Sequence, residues 1–391
     1  MRQSERRLAA LCGTIALTTA FSACAPDTNQ SASIPNVSAL AQPAKASSSS
    51  YAFSANFNSQ NVTVFSIGTN GALTQAPGSP VSTGAGPTQV IVSPTGKYAY
   101  VPNFNANSVS AFSINAKSGA LTPVAGSPFT VGSQPYFGAI DPKGKFFYVA
   151  QHGNSNVAAF TIDAKSGALK SVKGSPFTTG PEPDGVAIDP KGKFLYVCEA
   201  GDSAVRGFAI NASSGALSEV KGSPFAAGNS PYYVAITPSG SALFTANEGD
   251  GTVSAYAVSA NGTLQQVSGS PYSAGTSSYA LAITPNSKFL FVPNAGSNNV
   301  AAFTIAKTGV LKTVKGSPFA AGSAPDGAGV DPLGKYLYVG NFTSNDVSAY
   351  AINASKGTLK PLSGSPFPAG SSPYVISTCA QTASGCVPTT P

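Results

Sequence analysis

From residue 51 to residue 378 the chain alternates short apolar runs with polar, turn-forming ones. One stretch shows the order: Pro183-Asp184-Gly185-Val186-Ala187-Ile188, then Phe194-Leu195-Tyr196-Val197, then Ala204-Val205-Arg206-Gly207-Phe208-Ala209, then Ala216-Leu217-Ser218-Glu219-Val220. Each run has four to six residues, is rich in Val, Ile, Phe and Tyr, and is bounded by Pro-x-Gly or Ser-Gly. Such runs between such turns predict β-strands, four to a unit. Gly-Ser-Pro follows the fourth strand at Gly78, Gly126, Gly174, Gly222, Gly269, Gly316 and Gly364, at intervals of 47 or 48 residues. Seven copies at one period mean a repeat architecture. A four-stranded sheet of that length cannot bury both faces alone, whereas seven arranged radially can. The pattern predicts an all-β fold, a seven-bladed β-propeller of four-stranded antiparallel blades over residues 51–378.

The repeat region starts at a second strand, Tyr51-Ala52-Phe53-Ser54, and ends on a lone first strand, Pro373-Tyr374-Val375-Ile376-Ser377. The last blade is then closed by both termini, which removes the free edges of a linear array. Gly-Ser-Pro-Phe reads as structural, with Pro ending the outer strand and Phe129, Phe177, Phe225, Phe319 and Phe367 packing between blades. Composition agrees: with 41 Gly, 31 Pro, no Trp and 9% charged residues in 391, helical bundles and coiled coils are excluded. A 42% hydrophobic content excludes a disordered polymer.

Outside the repeats, Met1 to Arg7 is basic, Leu8 to Phe21 is apolar, and Phe21-Ser22-Ala23-Cys24 has the form of a bacterial lipobox with Phe where Leu is usual. This predicts a lipoprotein signal peptide over 1–23 and lipidation of Cys24; the alternative is an ordinary signal peptide cut after Ala25. Either way the protein is exported, as a cell-envelope lipoprotein or as a secreted protein, and Ala25 in place of Asp favours the outer membrane. Residues 24–50 read as a flexible Ser/Ala/Pro tether. In the tail 379–391, Cys379 and Cys386 predict a small disulfide loop, with two free thiols as the alternative. Cys198 reads as a buried, inert thiol.

Register places candidate chemistry on one face. Because the first strand is innermost, its start and the end of the second strand both lie at the mouth of the central channel. The first-strand column reads Thr88, Tyr136, Asp184, Tyr232, Tyr279, Asp326 and Tyr374; the second-strand ends include His152, Glu199 and Glu248. The loops of this face carry Glu182, Asp184, Glu199, Asp202, Glu248, Asp250, Asp326 and Asp346 and no Lys, whereas the opposite face holds eleven lysines against four aspartates. The whole-chain excess of +7 therefore hides a dipole.

The Asp-Pro-x-Gly-Lys turn and the Tyr-Val-x-Asn-like end of the second strand resemble bacterial seven-bladed propellers of the lactonase family, 6-phosphogluconolactonase-type proteins among them, and the catalytically silent YVTN-repeat propellers. The resemblance implies a lactone opened by water, with a His, an Arg and a Glu at the mouth. Asn247-Glu248 matches the family's Asn-Glu pair, and Asp202 falls near its Asp. Asp184 stands where the family has His, and Tyr232-Tyr233 where it has Arg-His. Arg206, in a third strand, reads as a salt bridge or a solvated side chain, and His152 as a loop histidine or a catalytic one.

Two functions stay open, and with them whether the protein is an enzyme. One is an anchored propeller binding a neutral or cationic ligand, or an envelope protein, at an acidic mouth lined by Tyr136, Tyr232, Tyr279 and Tyr374 with Glu199 and Asp326; Ca2+ is a further candidate. The other is a lactonase acting on a sugar lactone, an ester hydrolase with Glu248 as general base and Asp184, Asp202 or His152 assisting. A monomer is expected, with membrane association through the N-terminal lipid. Lysines spread round a rim without interleaved Arg argue against nucleic acid.

Overall fold

The computed structural model describes residues 50–382 and 385–388; the signal peptide, Cys24 and nearly all of the tether lie outside them. Seven antiparallel sheets follow one another, six of five strands and one of six. In blade 3 the strands Pro183–Ile188, Phe194–Glu199, Ala204–Ile210 and Leu217–Glu219 pair in order. The first strands of blades 2, 3, 4 and 6 begin at Pro135, Pro183, Pro231 and Pro325, those of blades 1 and 5 are the short Ile91–Val92 and Ala282–Ile283 preceded by isolated bridges at Pro87 and Ser278, and the seventh blade is built from strands at both ends of the repeat region. There Ser50–Asn56 pairs on one side with Asn61–Ile67 and on the other with Pro373–Thr382.

The outer edge differs from a single fourth strand. It is split, so that in blade 2 Leu169–Ser171 and Phe177–Thr178 both pair with the third strand Asn156–Ile162. Gly-Ser-Pro is the break between them. The Gly adopts positive φ (90° at Gly174), and the Ser hydroxyl accepts the third-strand amide that faces the gap. All seven blades do this: Ser175 Oγ accepts Ala159 N at 2.8 Å, and Ser79, Ser127, Ser223, Ser270, Ser317 and Ser365 repeat it. Phe129, Phe177, Phe225, Phe319 and Phe367 then pack against clusters of buried side chains drawn from two adjacent blades.

Blades are also tied by hydroxyls. Tyr100, Tyr148, Tyr196 and Tyr338 of the second strands are buried and donate to the carbonyls of Gly167, Gly215, Gly262 and Gly71 in the next blade. Burial raises the phenol pKa of all four.

Residues 379–382 and 385–388 are not a separate tail. The last first-strand runs on to Thr382 and turns into Gly385–Pro388, forming a hairpin closed by the Cys379–Cys386 disulfide. Cys386 N donates to Gly96 O at 3.0 Å, docking the hairpin on blade 1. Cys198 is a buried free thiol whose pKa burial pushes well up. No helix among the described residues is long and apolar enough to cross a membrane.

Candidate functional site

The first strands of blades 2, 3, 4, 6 and 7 each carry a register shift just after the opening Pro. A bulge re-aims a side chain next to a site. Here it affects Tyr136, Asp184, Tyr232, Asp326 and Tyr374, the column that faces the channel mouth. The inner strands crowd together at this level: a Cβ on Gly185 would stand 2.8 Å from Val234 N, so the residue after Asp184 must be small.

The tyrosines close the mouth. The hydroxyls of Tyr136, Tyr232 and Tyr374 converge, with Tyr136 and Tyr374 at 2.5 Å and Tyr232 in contact with both. Tyr136, Tyr232 and Tyr279 are buried, so their faces are not the open stacking surface expected from sequence; Tyr374 is partly exposed. Desolvation, and then the neighbouring Tyr374 and the Asp184 carboxylate, hold the Tyr136 phenol protonated far above pH 10.

Around this cap the sides differ. On blades 2 and 4 the first residue after the second strand is His152 and Glu248 respectively, each fixed by its backbone amide to the facing loop (His152 N to Gln134 O at 3.1 Å, Glu248 N to Ser230 O at 2.9 Å); blade 3 has Ala200 there. His152 Nδ1 lies 2.7 Å from Asp184 Oδ1, with the imidazole 15% exposed above a buried carboxylate. Glu248, also buried, accepts the Tyr279 hydroxyl at 3.2 Å. Ring contacts connect the two: His152 to Tyr136 at 5.8 Å, Tyr136 to Tyr232 at 5.4 Å, Tyr232 to Tyr279 at 4.8 Å. On blades 7, 1 and 6 the same position holds Phe57, Phe104 and Phe342, which pack on Tyr374, on Tyr136 and His152, and on Tyr374. From the sequence these phenylalanines receive no role, because an apolar residue at a strand end reads as core.

The other candidates lie elsewhere. Glu199 is fully buried and is not at the mouth surface: it accepts Gly180 N at 2.7 Å and Arg206 Nε at 2.5 Å, and Arg206 also reaches Glu219. Arg206 is thus held in ion pairs. Asp202 is exposed in the turn after Glu199, and Asp326 is buried at the mouth position of blade 6. Among the described residues no three His, Cys, Asp or Glu side chains are grouped to hold a metal, so the Ca2+ expectation gains no ligand set.

Solved structures share this architecture. A candidate 6-phosphogluconolactonase of Bacteroides fragilis is 22% identical with a TM-score of 0.75, over 86% of this chain and 99% of its own. One of Bacteroides uniformis is 18% identical with a TM-score of 0.74, over 85% and 99%. A periplasmic gluconolactonase of Pseudomonas aeruginosa is 20% identical with a TM-score of 0.72, over 85% and 100%. At these identities the likeness is one of fold. No curated protein matches the sequence. The family model described as lactonase, 7-bladed beta-propeller, matches residues 45–186 and 175–376, which together span the ring. The chain belongs to the lactonase family of seven-bladed β-propellers.

Proposed function

We propose that the protein hydrolyses an uncharged sugar lactone on the polar side of its tyrosine-capped mouth. The observation that carries this reading is the 2.7 Å contact of His152 Nδ1 with Asp184. A carboxylate on Nδ1 fixes the ring and leaves Nε2 to take a proton from water, the role of a general base. The Tyr136 hydroxyl, kept protonated by burial, is a donor for the oxyanion that forms when water adds to the lactone carbonyl. Glu248 is the second base candidate, and Phe342 and Tyr374 offer partly exposed rings to a sugar face. The substrate is uncharged because the mouth loops carry acids and no Lys, and Arg206 is engaged with Glu199 and Glu219, so nothing neutralises a phosphate.

The test is turnover of gluconolactone and of its 6-phosphate by the purified chain, beside His152→Gln and Glu248→Gln. Turnover should favour the uncharged lactone and fall by about 10²–10⁴ in His152→Gln, the usual contribution of a general base. No hydrolysis of either substrate would sink this reading. It would favour a second one, a ligand-binding propeller without catalysis, which rests on Asp184 and Tyr232-Tyr233 replacing the family's His and Arg-His and on the closed tyrosine cap. Export to the envelope belongs to either reading, and the Cys379–Cys386 disulfide supports an oxidising compartment. Anchoring through Cys24 is a further proposal: Cys24→Ala should release the protein from membranes.

A further inference from the structure

Beneath the tyrosine cap the seven first strands enclose a second space, a cavity of about 320 Å3 that none of the mouth residues lines. Every blade contributes to its wall, through apolar side chains such as Val92, Ile140, Val186 and Ile283. At its level the polar side chains Gln89 and Tyr233 meet each other at 3.4 Å. Pro94, Pro142 and Pro190, in the turns from first to second strand, mark its other end, and the C-terminal hairpin adds Val387 and Pro388. Lys143 and Lys191 directly follow two of these prolines and are exposed. Blade 6 has Leu333 at the equivalent place, 65% exposed and the one large hydrophobic residue so exposed among the described residues.

An apolar shaft with a cationic rim and an exposed Leu beside it is complementary to one kind of molecule. We propose that the channel binds a single-chain fatty-acid carboxylate, with its tail in the shaft and its head at the Lys143 and Lys191 rim. Apolar walls gain little from water and gain from a tail. The volume sits at the small end of ligand pockets, about 300–1,000 Å3, which suits one medium-length tail and not a diacyl lipid. The rim then selects the sign of the head group. The inference is independent of hydrolysis at the opposite face.

Calorimetric titration of the full chain with decanoate, decanol and decyltrimethylammonium tests it, together with butyrate as a tail-less control. Decanoate should bind at one site, tighter than decyltrimethylammonium and far tighter than butyrate. Lys143→Glu with Lys191→Glu should weaken decanoate by about tenfold, as two exposed charge reversals allow, and leave decanol unchanged. Val186→Phe should block all long tails; if that variant does not fold, the decanoate-to-butyrate ratio still reports the shaft. Absence of decanoate binding, equal affinity for the three head groups, or an unchanged affinity in the lysine variant would each overturn the proposal.

Discussion

Glu199 and Arg206 illustrate how one residue takes its role from another seven positions away. In the blades that have Asn at this strand end, the amide reaches across to the third strand: Asn103 to Ser108 and Ser110, Asn247 to Thr252 and Ser254, Asn341 to Asp346 and Ser348. Blade 3 replaces both partners at once, Asn by Glu199 and Ser by Arg206, and keeps the link as an ion pair. Arg206→Met should therefore cost about 3–5 kcal/mol in urea unfolding, because it leaves a fully buried carboxylate uncompensated. The double variant Glu199→Asn with Arg206→Ser, which restores the pattern of the other blades, should recover most of that loss. Counting Glu199 among the mouth acids followed from its strand position alone. The signal that corrects it was in the chain: Thr63, Ser110, Ser254 and Ser348 occupy the place of Arg206 in other blades. The pairing of His152 with Asp184 had no such signal, since it joins two blades and depends on a bulge that no local pattern announces.

At the scale of strands and turns, the period and the turn residues were enough to read seven four-stranded units and their closure by both termini. Two departures required backbone geometry. The outer strand is interrupted because a positive-φ Gly turns the chain and a Ser hydroxyl stands in for the missing backbone acceptor. Ser175→Ala would leave Ala159 N–H without that acceptor, and the expected loss is about 1 kcal/mol, readable as a lower urea midpoint with unchanged slope. The C-terminal hairpin was legible only as a cysteine pair; that it extends an inner strand depends on docking against Gly96, far away in sequence.

Over the whole molecule, the separation of acids and lysines onto opposite faces could be counted from loops, because loop position in a propeller fixes the face. Closure of the channel could not: it needs hydroxyls of residues 96 to 238 positions apart to meet. Those and the inter-blade tyrosines give the fold a predictable response to alkali. Burial raises the folded-state pKa values of Tyr136 and of the inter-blade tyrosines Tyr100, Tyr148, Tyr196 and Tyr338 above the ordinary value near 10, and that of the channel-lining Tyr233 to about 12, so the folded chain keeps protons that the unfolded chain releases. Stability is then intact below pH 10 and declines from there toward pH 12, by about 1.4 kcal/mol per pH unit for each such tyrosine. Phenolate absorbance should lag behind that of free tyrosine and then rise together with unfolding; a titration complete near pH 10 with the fold intact would contradict this.

The strand Pro373–Thr382 lines the channel, yet it is synthesised long after Ser50–Asn56, the strand it pairs with. Until it arrives, Ser50–Asn56 waits at one edge of an open ring with its inner neighbour missing. A chain that stops before residue 373 therefore has an unsatisfied inner edge on Ser50–Asn56, a ready site for proteases and for self-association. The ring thus closes only once residues 373–382 have been made.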